Sequence, residues 1–172
     1  MWSAPQIDRI EPPPRGDERT LLEAWLDYHR QTLLFKCAGL SVEQLRMRAV
    51  EPSSMSLLGL VRHMSEVERS WFRRRLAGLE IGQVYCDDTH PDADFDDVDT
   101  ADAEANFTAF AREIGLACEV ASGRSLDDTF VHPRTGVEMD LRWIYLHMIE
   151  EYARHNGHAD LLRERIDGVT GD

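Results

Sequence analysis

The sequence predicts an all-α fold, a four-helix bundle, on the strength of three observations. Apolar residues recur at intervals of three and four along four long segments. These segments are flanked by Ser or Asp residues that can cap a helix start and by glycines that can end one. No alternating strand pattern repeats along the chain.

An extended arm is predicted over residues 1–16, because the run Pro12–Pro14 cannot be absorbed into a helix. The first long helix then begins after a cap at Asp17 and stops at Gly39. Its apolar face comprises Leu21, Leu22, Trp25, Tyr28, Thr32 and Phe35.

The second long helix follows a short helical turn over residues 41–50. Ser53, Ser54 or Ser56 is expected to cap it, and Gly78 is expected to terminate it. One side of this helix comprises Leu57, Leu60, Val61, Met64, Glu68 and Trp71, and His63 borders that side.

An acidic loop is predicted between helices two and three. Residues 87–104 contain nine acidic residues and no lysine or arginine, which is typical of a solvated linker. A calcium-binding EF-hand is excluded, because Asp97 stands where that loop needs Gly and Ala103 where it needs Glu. The turn Thr89–Pro91 within this loop is a candidate lid over a pocket.

Two more long helices complete the predicted bundle. Helix three is expected over residues 100–123, with Phe107 and Phe110 on its buried side. A loop with a short hairpin around residues 132–137 follows it, and helix four then runs over residues 141–166.

Composition predicts one soluble domain over residues 1–172. Hydrophobic residues make up 42% of the chain and charged residues 30%, as in ordinary globular proteins. The formal net charge of -13 argues against nucleic acid and anionic membrane surfaces as partners, because both require a basic face. Neither a signal peptide nor a run of about 18 apolar residues is present, so a cytoplasmic location is expected.

The cysteines Cys37, Cys86 and Cys118 form no C-x-x-C pair. Neither a disulfide framework nor a thiolate zinc site is therefore predicted. No histidine pattern accompanies any of the three, so none is expected to act as a nucleophile.

Helix four carries polar residues at the edge of its apolar stripe. His155 falls inside this stripe and Glu151 lies beside it, one turn earlier, whereas Glu150 projects to the opposite side. A carboxylate and an imidazole spaced i, i+4 can converge on one metal ion. His63 on helix two is the candidate third ligand, since bundles build metal sites from facing helices.

Two further histidines and several arginines leave alternatives open. His147 lies about 12 Å along the helix from His155, so a supporting role is expected for it. His158 is either an alternative ligand or a hydrogen-bond partner of a ligand. An ion pair of Glu151 with an arginine would compete with metal binding; the candidate partners are Arg62, Arg142 and Arg154.

Two segments carry a resemblance to the DinB-like metalloprotein superfamily that spans nearly the whole chain. "SLLGLVRHMSEVERSWF" resembles the segment that supplies the first ligand histidine, and "LRWIYLHMIEEYARHNGHADLLRE" resembles the segment that supplies the other two ligands. In most members the second segment reads H-x-x-x-H-x-G-Q. In this chain Glu151 occupies the position of the motif's first histidine, and His155 occupies that of the second. His158 occupies the position of the motif's glutamine.

The resemblance implies a metal site formed by His63, Glu151 and His155. This His/Glu/His set is similar to the zinc site in the N-terminal domain of mycothiol-dependent maleylpyruvate isomerase. It further implies an up-down-down-up bundle, a homodimer and a small-molecule substrate. That isomerase has an additional C-terminal domain, so its own reaction is not expected of this chain.

Thiol chemistry is the leading functional hypothesis, because characterised relatives use low-molecular-weight thiols such as mycothiol or bacillithiol. A zinc ion with three protein ligands keeps an open position, and nickel, manganese or iron would suit the same ligands. The alternatives are hydrolysis by a metal-bound hydroxide and a noncatalytic metal- or ligand-binding protein. Arg62, Arg142, Arg154 and Trp143 are candidates for recognising a thiol, although ion pairing and packing are the simpler roles.

Overall fold

The computed structural model describes residues 2–171, and helices dominate this part of the chain. Met1 and Asp172, which the predicted arm and domain include, lie outside the described residues. The α-helices are α1 (Glu18–Cys37), α2 (Val42–Arg46), α3 (Leu57–Glu68), α4 (Ala93–Asp96), α5 (Ala103–Ser122) and α6 (Leu141–Asp167). The fold is therefore all-α in class, as predicted from the sequence.

The helix starts are fixed by the side chains that the sequence indicates. Asp17 accepts a hydrogen bond from the Thr20 amide at 3.0 Å, and Ser56 accepts one from the Gly59 amide at 3.1 Å. Asp140 accepts one from the Trp143 amide at 2.7 Å. Each cap satisfies an amide that has no partner within its own helix, which sets the first residue of α1, α3 and α6.

The second long helix changes its geometry halfway, which the sequence pattern did not predict. After Glu68 the α3 backbone continues as a π-helix over Arg69–Leu76, and the Ala77 amide donates to the Phe72 carbonyl at 3.0 Å. A π-helix accommodates an extra residue per turn. In this arrangement Phe72 and Leu76 are buried, and Trp71 contacts α6.

A two-stranded antiparallel hairpin precedes α6, as expected from the turn residues. Strand β1 (Thr129–Val131) pairs with β2 (Glu138–Asp140), with Phe130 opposite Met139. The hairpin lies against the π-helix, where the rings of Trp71 and His132 are 5.9 Å apart.

The extended arm is bound to the helices. The Ala4 amide donates to the Leu40 carbonyl at 3.0 Å, and the Gly39 amide returns a hydrogen bond to the Ala4 carbonyl at 2.9 Å. Trp2 packs edge-on against Phe107, with ring centroids 5.3 Å apart. None of the helices within residues 2–171 is both long and apolar enough to cross a membrane.

A buried ion pair joins three of the long helices. The Arg30 guanidinium of α1 donates through Nε and Nη2 to both oxygens of Glu68 of α3, each at 2.7 Å. The Tyr152 hydroxyl of α6 donates to the same carboxylate at 2.8 Å. Because Glu68 is fully buried, its charge depends on these partners to offset the loss of hydration.

Glu68→Ala is predicted to lower the free energy of unfolding by about 3–5 kcal/mol, because it leaves the buried Arg30 guanidinium without its main counter-charge. Urea denaturation followed by circular dichroism measures the effect.

Asp99→Asn is the matched control, since it breaks the exposed Arg48–Asp99 pair and is expected to change stability by less than about 1 kcal/mol. If Glu68→Ala were as stable as this control, the buried pair would not contribute to the free energy of unfolding as predicted.

Candidate metal site

The three predicted ligands lie together in a cleft between α3 and α6. One donor atom from each of His63, Glu151 and His155 can be chosen so that all three lie within 4.8 Å of one another. The imidazole centroids of His63 and His155 are 4.8 Å apart, and Glu151 Oε2 lies 3.6 Å from His155 Nε2. All three side chains are partly exposed.

The arginine partners considered for Glu151 are bound elsewhere. Arg142 pairs with Glu18 at 2.7 Å, and Arg154 pairs with Glu150. Arg62 donates to the Asp94 carbonyl at 2.8 Å. Among the residues that the structure describes, no arginine forms an ion pair with Glu151, so the competing explanation for this carboxylate does not hold.

His63 is oriented by a carboxylate that sequence reasoning missed. Its Nδ1 lies 2.8 Å from Oδ2 of Asp94, whose side chain is only 5% exposed. With Nδ1–H donating to Asp94, the lone pair of His63 Nε2 is free to bind a cation. The expectation of a fully solvated acidic loop is therefore wrong at Asp94, because this residue is buried against a histidine of α3.

The acidic loop is attached to α3 by residues on either side of His63. Arg62 also donates to the Ala93 carbonyl at 2.9 Å, which fixes the start of α4. Glu66 Oε1 accepts hydrogen bonds from three successive amides, those of Val84, Tyr85 and Cys86. The loop therefore follows α3 closely, which brings Asp94 to His63.

Gly59 allows this close approach of α4 to α3. A Cβ atom at this position would lie 2.9 Å from Phe95 Cδ1 and 3.5 Å from Phe95 Cα. The Phe95 ring in turn packs against the His63 ring, with centroids 5.0 Å apart. A glycine is needed here because a side chain would push Phe95 away from His63.

His155 is held neutral by its surroundings. Burial, together with the neighbouring His63 and His158, lowers the pKa of His155 from 6.5 to about 4. His158 Nδ1 lies 3.3 Å from His155 Nδ1, whereas His155 Nε2 faces Glu151. A neutral imidazole keeps a lone pair for a metal ion, and His158 contacts the opposite nitrogen of the ring.

His147 contacts the second oxygen of Glu151, which agrees with a supporting role. Its Nε2 lies 3.4 Å from Glu151 Oε1. The ring is stacked on Trp143 at a centroid distance of 4.8 Å and meets Trp71 edge-on at 4.6 Å. Burial lowers the pKa of His147 as well. The two oxygens of Glu151 thus face two different histidines.

The chain's match to a known family agrees with this geometry. Residues 21–168, most of the chain, match the family described as mycothiol-S-transferase. The chain belongs to the mycothiol-S-transferase family. This family is DinB-like, so the superfamily resemblance is confirmed. No curated protein and no solved structure gives a significant match.

The cysteines of this family member are poor nucleophiles. Burial raises the pKa of Cys37 to about 12 and that of Cys86 to about 11, and it also raises the pKa of Cys118. Because the thiolate is the reactive form, none of the three is activated near neutral pH. A reactive thiol would therefore have to come from a small molecule.

The candidate lid is a compact exposed turn. The Asp87 carboxylate accepts hydrogen bonds from the amides of Thr89 and His90, at 2.7 and 2.9 Å. Pro91 lines a cavity beside the π-helix together with Arg75 and His132. The lid function of this turn remains a prediction.

The metal-free protein is expected to lose stability as the pH falls from about 6.5 to about 4. In this window the unfolded chain protonates His155 but the folded chain does not, so the free energy of unfolding decreases as the pH decreases. Above about pH 6.5 His155 is unprotonated in both the folded and the unfolded chain, so it no longer makes the free energy of unfolding depend on pH. Urea denaturation at a series of pH values measures this slope.

His155→Gln should flatten part of the slope, while the lowered pKa values of His29, His132 and His147 keep the remainder. Above about pH 6.5 the wild type and His155→Gln should show the same pH dependence, which is the control for effects that do not come from His155. An equal slope in wild type and His155→Gln would contradict the effect of burial on this side chain.

Proposed function

We propose that this chain is a metal-dependent mycothiol S-transferase in which His63, Glu151 and His155 bind a divalent ion, with zinc as the leading candidate. The observation that carries the proposal is the convergence of these three donors from two helices. Membership of the mycothiol-S-transferase family supports the choice of thiol. Bacillithiol is the alternative thiol, and nickel, manganese and iron are the alternative ions.

The chemistry of the donor set fits such an ion. Asp94 binds Nδ1 of His63, so Nε2 of that ring presents its lone pair. His155 is neutral because burial lowers its pKa to about 4. Two neutral imidazoles and one carboxylate leave a divalent ion with one net positive charge. Three protein ligands are also the number found in catalytic zinc sites.

A bound divalent ion with an open position would lower the pKa of a thiol placed on it, so that the thiol reacts as a thiolate. The residues of the chain provide the rest of the site. Asp94 and His147 orient His63 and Glu151, and Trp71 and Trp143 form an aromatic wall beside His147. In the transfer, the thiol sulfur forms a bond to an electrophilic carbon of the substrate while the bond from that carbon to its leaving group breaks. The leaving group departs with the electron pair, and the thiol proton passes to solvent.

We also infer an up-down-down-up arrangement for the four long helices in one domain. For α1 and α6, contacts at both ends support a parallel pair: Arg142 with Glu18 at 2.7 Å, and Arg163 with the Lys36 carbonyl at 3.0 Å. For α3 and α5, the contacts of Arg62 with Asn106 and of Arg69 with Glu113 support a second parallel pair.

The relative direction of these two pairs comes from contacts between α3 and α6. His63 contacts His155, and Trp71 contacts Trp143. From the first contact to the second, the residue number rises from 63 to 71 on one helix and falls from 155 to 143 on the other. This supports an antiparallel arrangement of the two pairs.

Metal content should depend on Glu151 and His155. Protein purified without a metal-affinity tag is expected to contain about one divalent ion per chain, and Glu151→Ala and His155→Ala are expected to lose it. Elemental analysis of the three proteins by mass spectrometry measures the ratio.

Glu150→Ala is the matched control, because it removes a carboxylate one residue away that pairs with Arg154. Asp94→Asn should keep all three donors but weaken metal affinity about 10–100-fold, since it removes only the partner of His63 Nδ1. Stoichiometric metal in both Glu151→Ala and His155→Ala would refute the assignment.

Turnover should require a thiol. In the metal-loaded wild type, conjugation of monochlorobimane is expected with mycothiol and should disappear without thiol. It should also disappear in Glu151→Ala, which is expected to lack the ion. Fluorescence of the thiol–bimane product, checked by mass spectrometry, measures the rate.

Equal consumption of the probe with and without thiol would favour the hydrolase hypothesis. Tight metal binding without turnover of any probe would favour a noncatalytic binding protein. The Glu150→Ala variant again serves as the control and should retain wild-type turnover.

A further inference from the structure

A cluster of cationic side chains lines a cavity beside the aromatic wall. Arg74 and Arg75 of the π-helix, together with His132 and Arg134 of the hairpin, line a cavity of about 880 Å³. We refer to these four residues as the arginine pocket. The Arg75 guanidinium lies 4.4 Å from the centroid of the Trp71 ring, and Trp71 also contacts His147. Trp71 therefore connects the arginine pocket to the candidate metal site.

The guanidinium at the centre of this pocket has only neutral partners. Arg75 Nε donates to His132 Nε2 at 3.1 Å, and Nη1 donates to the Ser70 hydroxyl. Within residues 2–171, neither Arg74, Arg75 nor Arg134 forms an ion pair with a carboxylate.

The missing counter-charge has an electrostatic cost. Burial lowers the pKa of Arg75, and repulsion from Arg74 and Arg134 lowers it further. The pKa of His132 is lowered by burial and by Arg75 and Arg134. Three like charges around a partly desolvated site favour an anion that would offset their repulsion.

Within the described residues, none of the nearby carboxylates forms an ion pair with Arg74, Arg75 or Arg134. Asp87 lines the same cavity, but its carboxylate accepts hydrogen bonds from the Thr89 and His90 amides. Glu66 binds the amides of residues 84–86. Glu80 and Asp88 also line the cavity, and both are exposed.

We propose that the arginine pocket binds an oxyanion, the carboxylate or phosphate group of a small organic acid. The planar guanidinium groups offer paired N–H donors that match both kinds of oxyanion. The apolar residues of the same cavity can contact the organic part of the ligand; they are Leu79, Ile81, Val131 and Pro133.

The role of this acid rests on the proposed function. Because Trp71 links the arginine pocket to His147, and His147 contacts Glu151, the acid is the electrophilic acceptor of the thiol. The chain would then act on anionic electrophiles in preference to neutral ones of the same reactivity.

Binding is tested first, with inorganic phosphate and succinate as probes. Tryptophan fluorescence is titrated at constant ionic strength, with chloride replacing the probe in the reference. Saturable binding is expected in the wild type, and Arg75→Gln and Arg134→Gln should weaken it about tenfold each.

Arg134→Gln changes an exposed turn residue, so the fold does not depend on it. Arg112→Gln is the control for charge, because Arg112 is an exposed arginine of α5 and has no ion pair in the described chain. Identical titrations for wild type, Arg75→Gln and Arg134→Gln would overturn the proposal that the arginine pocket binds an oxyanion.

Acceptor preference is tested next, with 4-maleimidobutanoic acid and its primary amide. Mycothiol sulfur adds to the same carbon–carbon double bond in both, and the adjacent carbon takes a proton from solvent. After division by the uncatalysed rates, kcat/KM is expected to favour the acid about tenfold in the wild type. Arg134→Gln should reduce the acid-to-amide ratio of kcat/KM towards one, whereas Arg112→Gln should keep the wild-type ratio.

The two tests separate this inference from the proposed function. Phosphate binding that Arg134→Gln weakens, together with no mycothiol-dependent turnover of any probe by the metal-loaded wild type, would support the pocket and reject the transferase. Mycothiol-dependent turnover with equal rates for acid and amide would support the transferase and overturn the assignment of the acid as acceptor.

Discussion

The buried contact between Arg30 and Glu68 is the constraint on which the site geometry depends. Glu68 is the last residue of α3 before the backbone becomes a π-helix, and its carboxylate is bound by side chains from α1 and α6. This contact fixes how α3 is rotated about its own axis. The rotation in turn directs His63, five residues earlier, towards His155, and Trp71, three residues later, towards His147.

Three other buried carboxylates also join separate segments of the chain. Glu113 of α5 binds Arg69 and Arg73 of the π-helix, and Glu66 binds the backbone just before the acidic loop. Asp94 binds His63. Each of these acids has a charged or strong hydrogen-bond partner, as its burial requires. Some of the acidic side chains therefore hold parts of the fold together, and one of them, Asp94, contacts a candidate metal ligand.

The features that local sequence determines could be predicted. The spacing of Glu151 and His155 places both on one helical face whatever the rest of the chain does, and Asp17 and Asp140 cap helices through their own nearby amides. His63 required one further assumption, that two apolar helix faces pack together. The donor atoms of His63, Glu151 and His155 lie together because these two helix faces pack against each other. That they bind a metal stays a prediction.

The features that depend on distant contacts could not be predicted. Asp94 is one of nine acids in its segment, and only the folded loop distinguishes it from its neighbours. Its flanking residues Ala93 and Phe95 are apolar, which was the one local signal of burial. The arginine pocket was hidden for a similar reason, because Arg75 and Arg134 are 59 positions apart in the sequence and meet only through the hairpin.

The π-helix gives this region an unusual sensitivity to chain length. A π segment holds one residue more per turn than an α-helix would, and each residue of an α-helix turns the backbone by about 100°. Deleting Ser70 would move Trp71 back by one position along the helix and so rotate it by about 100° relative to α3. Trp71 would then no longer face both the histidines and the arginines, so a change in length without any change in residue type would uncouple the two halves of the cleft.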